Sequence, residues 1–498
     1  MVNKTQGASF GDVKLLDSYE LKVRDIPVLV KVHQLPDAFT PSYAISISGL
    51  SKTSEVLLDE IQEELIKTAS LEHLQLEEES SSATSALDKH IQPLLKKYFA
   101  YSDEHTLALL KSYLLSRVLG MGYVDILLKD ELLEEIAIDN ASEPIWVYHR
   151  KWGWLRTNIF MSNEEQIKRV ASRIGRHVGR QINTLNPLLD AYMKTGERVN
   201  ATIQPITPRG NTITLRKFSE DPWTITKFIE NNTLSAEAAA FLWQVIQFEL
   251  SILVVGGTAS GKTSMLNALA NFIPPNQRVL SIEDTRELRL ASYLYWVPML
   301  TRVANNEGKG EVSMGDLLVN SLRMRPDRIL VGEIRRKREA ETLFEAIHTG
   351  HSCYGTFHAN DAREAIARLT NDPVNVPKAL LPAINVMLVQ FRNRMSGQRR
   401  TFEIAEISED GTHELVYQYD AKKDTLHSHT RPNRVLKTLM LFTGLTEKEL
   451  EIDFKQRVDI LKHLVKNKMF NVEDVGQVFA QYYKDKESLL NKISKGDL

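Results

Sequence analysis

Apolar residues recur at helical spacing over Leu58 to Leu74. They do so again from near Glu104, with leucines at 107, 109, 110, 114 and 115, until Gly120-Met121-Gly122 breaks the run. Between the two lies Glu77-Glu78-Glu79-Ser80-Ser81-Ser82, a charged and small-polar stretch that predicts a solvated linker. From Tyr123 to Phe218 the pattern is mixed. Residues 135–138 and 145–148 read as strands around the turn residues Asp139-Asn140-Ala141-Ser142. Gln166 to Val178 reads as an amphipathic helix, and 200–204 and 212–216 as alternating strands.

Thr224 to Leu234 leads into a larger region where strands and helices alternate: 252–255, 263–272, 279–282, 317–322, 329–331, 340–347 and 353–357. That alternation predicts a mostly parallel, doubly wound sheet. Strands at 387–391 and 402–407 are expected to extend it antiparallel. Beyond Tyr419 the periodicity is helical over 435–442, 447–467 and 472–491. The expected organisation is an extension at 1–100 with an acidic and serine-rich linker near 77–86, and a smaller α/β domain at 101–230. A larger α/β domain follows at 231–418, then a helical region at 419–498.

Charge and cysteine content narrow the function. The 498 residues carry 62 Lys and Arg against 64 Asp and Glu, which argues against a globally basic nucleic-acid binder. Arg169, Arg173, Arg176 and Arg180 form the best basic cluster, suited to a solvated helix face, acidic lipid headgroups or an acidic partner loop. The single cysteine, Cys353, excludes an intrachain disulfide and a multi-thiolate zinc site, and the chain reads as cytosolic. Met1 to Phe10 is polar, and no stretch approaches the roughly 18 consecutive apolar residues of a membrane span. Work at a membrane would require a partner.

Gly256-Gly257-Thr258-Ala259-Ser260-Gly261-Lys262-Thr263, followed by Ser264, matches the phosphate-binding loop pattern between a strand and a helix. Gly256 and Gly261 let the backbone wrap so that successive N–H groups face phosphate oxygens. The following helix adds its positive end, Lys262 reaches the β- and γ-phosphates, and the Thr263 hydroxyl can ligate Mg²⁺. Downstream, the strand at 328–332 ends in Glu333, where a carboxylate can polarise a water for in-line attack on the γ-phosphate. The strand at 279–282 ends in Glu283-Asp284, a pair suited to water or Mg²⁺ handling, or to capping the next turn. His358 follows the strand at 353–357, placed to donate to the γ-phosphate. His348 and His351 lack a third metal ligand nearby.

Taken in order, GGTASGKT, SIEDTREL, SLRMRPDRILVGEIRR and TGHSCYGTFHAND resemble the Walker A, Asp box, Walker B and His box of one family. It comprises the ATPases of type II secretion, type IV pilus and Tad systems, and of the archaeal archaellum. The resemblance runs from about Gly120 to about Ile407, and the wording GEIRRKREAE is most similar to the archaeal secretion and pilus branch. It implies a RecA-like P-loop motor domain with a smaller α/β N-terminal domain and a helical C-terminal tail. ATP and Mg²⁺ are the implied cofactors. Bacterial members usually carry a four-cysteine zinc module, which Cys353 alone cannot supply, so no zinc is expected. Gly196-Glu197-Arg198-Val199-Asn200 and Thr212 to Phe218 are similar to family segments in the domain that closes over nucleotide, making Arg198 and Arg216 candidate catalytic contacts. Arg323 and Arg325 are similar candidates at a subunit boundary, whereas Arg336 departs from the acidic or glycine residue usual after Glu-Ile-Arg.

The resemblance further implies a homo-hexamer docked on a polytopic membrane platform protein, driving pilin-like or secreted substrates, cytoplasmic and peripheral to the membrane. The rival is a nucleic-acid translocating RecA-like ATPase, disfavoured by the charge balance and by the lack of interleaved basic and aromatic residues. A third reading, a scaffold that binds nucleotide without hydrolysing it, is disfavoured by Glu333, Glu283 and His358.

Overall fold

A computed structural model describes residues 13–23, 26–36, 38–47, 50–68, 81–193, 195–217, 222–304, 308–393 and 395–496. The chain divides into two units, Met1–Ser219 and Glu220–Leu498.

The first unit is built on a sheet of nine strands: β1 (Lys14–Val23), β2 (Ile26–Gln34), β3 (Ser42–Ile47), β4 (Leu133–Ile138), β5 (Pro144–His149), β6 (Gly153–Phe160), β7 (Leu188–Tyr192), β8 (Arg198–Thr202) and β9 (Thr212–Arg216). Their order is β1-β2-β3-β6-β5-β4-β9-β8-β7, antiparallel except for the β3–β6 pair. Residues 1–100, read as an extension, thus supply three strands to the same sheet as residues 133–216. Their buried Val28, Val30, Val32 and Ile45 join one core with Leu133, Ile136, Val147 and Leu215. In β2 the buried Ile26, Val28, Val30 and Val32 alternate with the less buried Pro27, Leu29, Lys31 and His33, as one covered face requires.

The helix expected over 58–74 runs from Lys52 to Thr68, and residues 69–80, with most of the expected linker, lie outside the described residues. The remainder of that linker, 81–86, is helical instead, the first turns of Ser81–Tyr98. Ala83, Ala86 and Leu87 carry strong helix propensity there, and it overrides the serines. The basic helix forms as expected, over Glu164–His177, with Asn163 capping it. Two of its region's arginines are engaged with backbone rather than presented: Arg173 donates to the carbonyls of Gly120 and Val118, and Arg180 to that of Asp190.

The second unit holds the other nine strands: β10 (Ile252–Gly256), β11 (Arg278–Glu283), β12 (Tyr295–Leu300), β13 (Arg328–Ile334), β14 (Ser352–Phe357), β15 (Val386–Arg392), β16 (Arg399–Ile407), β17 (His413–Asp420) and β18 (Thr425–Ser428). The order is β12-β11-β13-β14-β10-β15-β16-β17-β18. From β12 through β15 every pairing is parallel, and β16 to β18 add antiparallel strands. This is the α/β P-loop architecture expected of the motor. Every residue of β10 is buried, since helices cover both sheet faces: Leu253 and Val255 enter one core, Ile252 and Val254 the other.

Three expectations change here. The strand at 387–391 is parallel to β10, because a crossover through helix Ala362–Thr370 returns the chain to the same sheet edge. The stretch after Tyr419 is not yet helical, since β17 ends at Asp420 and β18 follows; helices begin at Arg434. Helix Ile225–Glu230 packs into the second unit's core through Ile225 and Phe228.

The helical region packs onto the second unit's core. Helices Glu447–Lys466 and Val472–Lys484 pack against Ala236–Gln247, which precedes β10. Buried Arg457 lies 4.8 Å from the ring centroids of both Trp243 and Tyr482 and donates to Asp453 at 2.7 Å. Trp243 stacks on Phe272 at 5.2 Å. Among the described residues no helix is long and apolar enough to cross a membrane.

Candidate nucleotide site

Strand β14 pairs with β10 on one side and β13 on the other. The residue after β14 therefore emerges between the phosphate loop, after β10, and the end of β13. His358 is that residue, and Glu333 lies beside it: His358 Nε2 is 3.7 Å from Glu333 Oε1. Burial, followed by the nearby Lys262 charge, lowers the imidazole's pKa against the pull of Glu333. A neutral His358 is thus a donor or acceptor here rather than an ion-pair partner.

The loop is a cradle built by close approach. A Cβ on Gly256 would lie 2.5 Å from the Gln390 carbonyl and from Ser260 Oγ, so no larger residue fits. Ala259 and Gly261 take left-handed backbone, φ 57° and 93°. Ser260 Oγ donates to the Gly257 carbonyl at 2.9 Å and closes the loop, whose tip residues Thr258 and Ala259 are exposed. Helix Lys262–Ala270 starts from Gly261 with no side-chain cap, leaving its first amides for an anion. Lys262 Nζ donates to the carbonyls of Gly256 and Gly257, both at 2.9 Å. Burial depresses this ammonium's pKa, with Glu333 and Glu287 opposing. A cradle with open amides and a lysine resting on its own loop fits a polyphosphate. Thr263 and Ser264, half-buried, open the helix beneath it.

Glu333 owes its direction to a bulge. Val331 pairs with Gly355 but Ile334 with Phe357, so β13 carries one extra residue at Gly332-Glu333. Gly332 lets Glu283 pack closely there, since a Cβ would lie 3.3 Å from Glu283 Cγ.

Glu283 is buried, and it does two things. Its Oε1 accepts from the Glu287 and Leu288 amides, both at 2.9 Å, which caps the turn after β11. Its Oε2 is buried with no hydrogen-bond partner among the described residues. Burial raises the carboxyl to about 7 despite those two amides. The capping role and the open oxygen coexist. The Thr263 hydroxyl and the unpartnered Glu283 Oε2 are each hard oxygen donors of the kind Mg²⁺ selects, which with substrate oxygens and ordered water would hold it. Among the described residues no group of three or more His, Cys, Asp or Glu is gathered around one point.

Arg198 and Arg216 belong to the first unit. They face each other in register across β8 and β9, a like-charge pair offset by neighbours. Arg198 donates to Asp190 at 3.1 and 2.9 Å, and Arg216 pairs in register with Glu135 on β4. Arg323 and Arg325 are exposed in the turn before β13, at the opposite end of the sheet from the phosphate loop.

Two residues at the site were not visible in the sequence. Arg399 of β16 donates from Nε to the Ala259 carbonyl at 3.1 Å, and Arg335 binds Glu333 and Asp284. Arg399 lies 140 positions from its partner and carries no motif. Arg335 stands within the Walker B segment but takes its meaning from a neighbouring strand.

A parallel sheet with a glycine-tight loop at one strand end and a carboxylate two strands away defines a P-loop nucleotide-binding protein. The sequence matches the family described as Type II/IV secretion system protein over residues 119–433, and the chain belongs to that family. An uncharacterized protein of Methanocaldococcus jannaschii, MJ0900, is 34% identical over 385 residues, covering 74% of this chain and 69% of the relative. The type IV secretion system protein PtlH of Bordetella pertussis is 30% identical over 302 residues, covering 54% and 88%. Among solved structures, the ATPase DotB of Legionella pneumophila is 18% identical with a TM-score of 0.42, covering 75% of this chain and 95% of DotB. The pilus retraction motor PilT with bound ADP gives 19% and 0.40, covering 69% and 93%.

Proposed function

We propose that the chain is a Mg²⁺-dependent ATPase, working as a homo-hexamer, that powers assembly or secretion of pilin-like or secreted proteins through a polytopic membrane platform protein. The observation that carries the ATPase reading is the gathering of an open phosphate cradle, a bulge-directed Glu333 and a neutral His358 at one sheet edge. Family membership supports the link to secretion.

In this reading the loop amides and Lys262 hold the β- and γ-phosphates, and Lys262 leaves its two loop carbonyls to do so. Glu333 orients the attacking water and accepts its proton, and His358 donates to a γ-phosphate oxygen. Bound Mg²⁺ supplies charge neutralisation on the phosphates, held through Thr263 and the open side of Glu283. The first unit closes over the nucleotide, with Arg198 exchanging Asp190 for phosphate and Arg216 exchanging Glu135, and that motion is passed to the platform. The domain scheme is carried with it, the strands of residues 14–47 counted with the closing domain whose sheet they share: a closing domain, a motor and a helical tail.

Hydrolysis of ATP by purified protein with and without Mg²⁺, beside Lys262→Ala, tests the core of this. Activity absent in the wild type, or equal in the variant, refutes it. The engagement of Arg173 and Arg180 with backbone weighs against the nucleic-acid rival. Stimulation by DNA or RNA that collapses as salt rises would revive it.

A further inference from the structure

Three hydrogen bonds leave one guanidinium at the site's edge, and none of them belongs to the phosphate cradle. Arg335 Nε donates to Glu333 Oε2 at 2.7 Å, and Nη2 donates to the same oxygen. Nη1 donates to Asp284 Oδ2 at 2.8 Å. The other oxygen of Asp284 accepts from Thr301 Oγ1 at 3.0 Å, and the Thr301 amide is fixed on the Glu283 carbonyl at 3.0 Å. A continuous chain, Glu333–Arg335–Asp284–Thr301, thus crosses the ends of β13, β11 and β12.

Stability does not account for it. Arg335 is 58% exposed and Asp284 39%, and a pair so exposed contributes little to stability. What a guanidinium fork on two carboxylates does supply is geometry, because its planar donors fix both partners at once. Glu333 needs that. It sits on the bulge, where the β13–β14 ladder is interrupted. With Oε2 taken by Arg335, Oε1 is left towards His358.

We infer that Arg335 is a positioning residue for the hydrolytic step: it fixes the Glu333 carboxylate with one oxygen free for the attacking water, and it is itself held by Asp284. The inference rests on the ATPase reading above. A displacement of about 1 Å at a reacting group can cost roughly 10²-fold in rate, which sets the scale of the effect. Nucleotide affinity, set at the loop, is untouched by it.

The test is steady-state ATP hydrolysis with Mg²⁺ by the full chain, for wild type, Arg335→Gln, Asp284→Asn and the double variant. Arg335→Gln is expected to lower kcat about 30- to 100-fold with KM for ATP held within about threefold. Asp284→Asn is expected to lower kcat about 3- to 10-fold, and the double variant to be no slower than Arg335→Gln alone. Arg335→Lys does not rescue, since one ammonium cannot reproduce the fork. The inference is overturned if kcat is unchanged or rises in Arg335→Gln. It is overturned equally if KM rises about tenfold at constant kcat, which would make Arg335 a phosphate ligand, or if the two single losses multiply. An inactive wild type refutes the ATPase reading itself, whereas an active wild type with indifferent variants refutes this inference alone.

Discussion

At the amino ends of β13 and β14, Arg328 is fully buried and its donors are met. It donates to Ser352 at 2.9 Å, Tyr354 at 2.6 Å and Gln277 at 2.7 Å, with Glu249 3.9 Å away. At the carboxyl ends of the same strands, Glu283 keeps a buried oxygen without a partner and His358 stands 3.7 Å from Glu333. Lys262, in the loop after β10, rests on its own carbonyls. Arg328 at the amino end is held by several partners, whereas the carboxyl end holds charges in reserve. The contrast separates stability from chemistry along a distance of one strand, and substitutions at the two ends should fail differently.

The largest effect is expected at Lys262. Lys262→Ala should abolish detectable ATP hydrolysis and weaken nucleotide binding, with the denaturation midpoint little changed; binding of a fluorescent ATP analogue and a urea titration check both halves. Next, Glu333→Gln should bind ATP normally but hydrolyse it about 10²- to 10³-fold more slowly in single-turnover assays, in line with loss of a general base. If binding is lost instead, the role given to Glu333 is wrong.

The amino end should show the reverse. Arg328→Ala leaves the buried Ser352 and Tyr354 hydroxyls without their donor and opens a cavity, and should cost about 2–4 kcal/mol in urea unfolding. Binding at the loop, measured where the variant is folded, should hold within about twofold of wild type, because the lost interactions lie at the far end of the strands.

Smaller again is a pH effect at Glu283. Its carboxyl is raised to about 7 by burial, above the ordinary carboxylate value. The folded state therefore prefers the protonated form, and this contribution to stability is complete below about pH 4 and lost as pH rises to about 7. Without Mg²⁺, wild-type melting temperature should fall over that window relative to Glu283→Gln; parallel curves would show that Glu283 is already ionised. The smallest effect is at Arg198, whose exposed pair with Asp190 predicts under about 1 kcal/mol for Arg198→Ala. A fall in hydrolysis without a fall in stability would then favour the proposed closure, and unchanged hydrolysis would remove Arg198 from the site.

The sequence made the carboxyl edge legible where chemistry and chain order coincide. Gly256 to Thr263 is contiguous, and Glu333 and His358 each stand at the end of an apolar strand. Arg335 and Arg399 escaped because their partners come from other strands, and register is not written locally. β12 escaped because Pro298 interrupts an otherwise apolar run, which an edge strand tolerates. The direction of β15 escaped because a strand's residues do not say which way its neighbours run. β1 to β3 carry no motif, and in β2 the apolar Pro27 and Leu29 at the less buried positions blur the alternation.

The packing of Trp243 sets a limit on where this protein can be cut. The family match stops at residue 433, one residue before helix Arg434–Thr443. A boundary drawn from homology would therefore discard Arg457, Phe479 and Tyr482, which surround the indole together with Phe272. Phe272 lies two residues beyond the end of the helix that begins at Lys262. A fragment trimmed to the recognisable region would hold every nucleotide-binding residue and still present a bare aromatic face to solvent. Such a fragment is a candidate for the insoluble fraction, and expression work should keep the chain through at least Lys495.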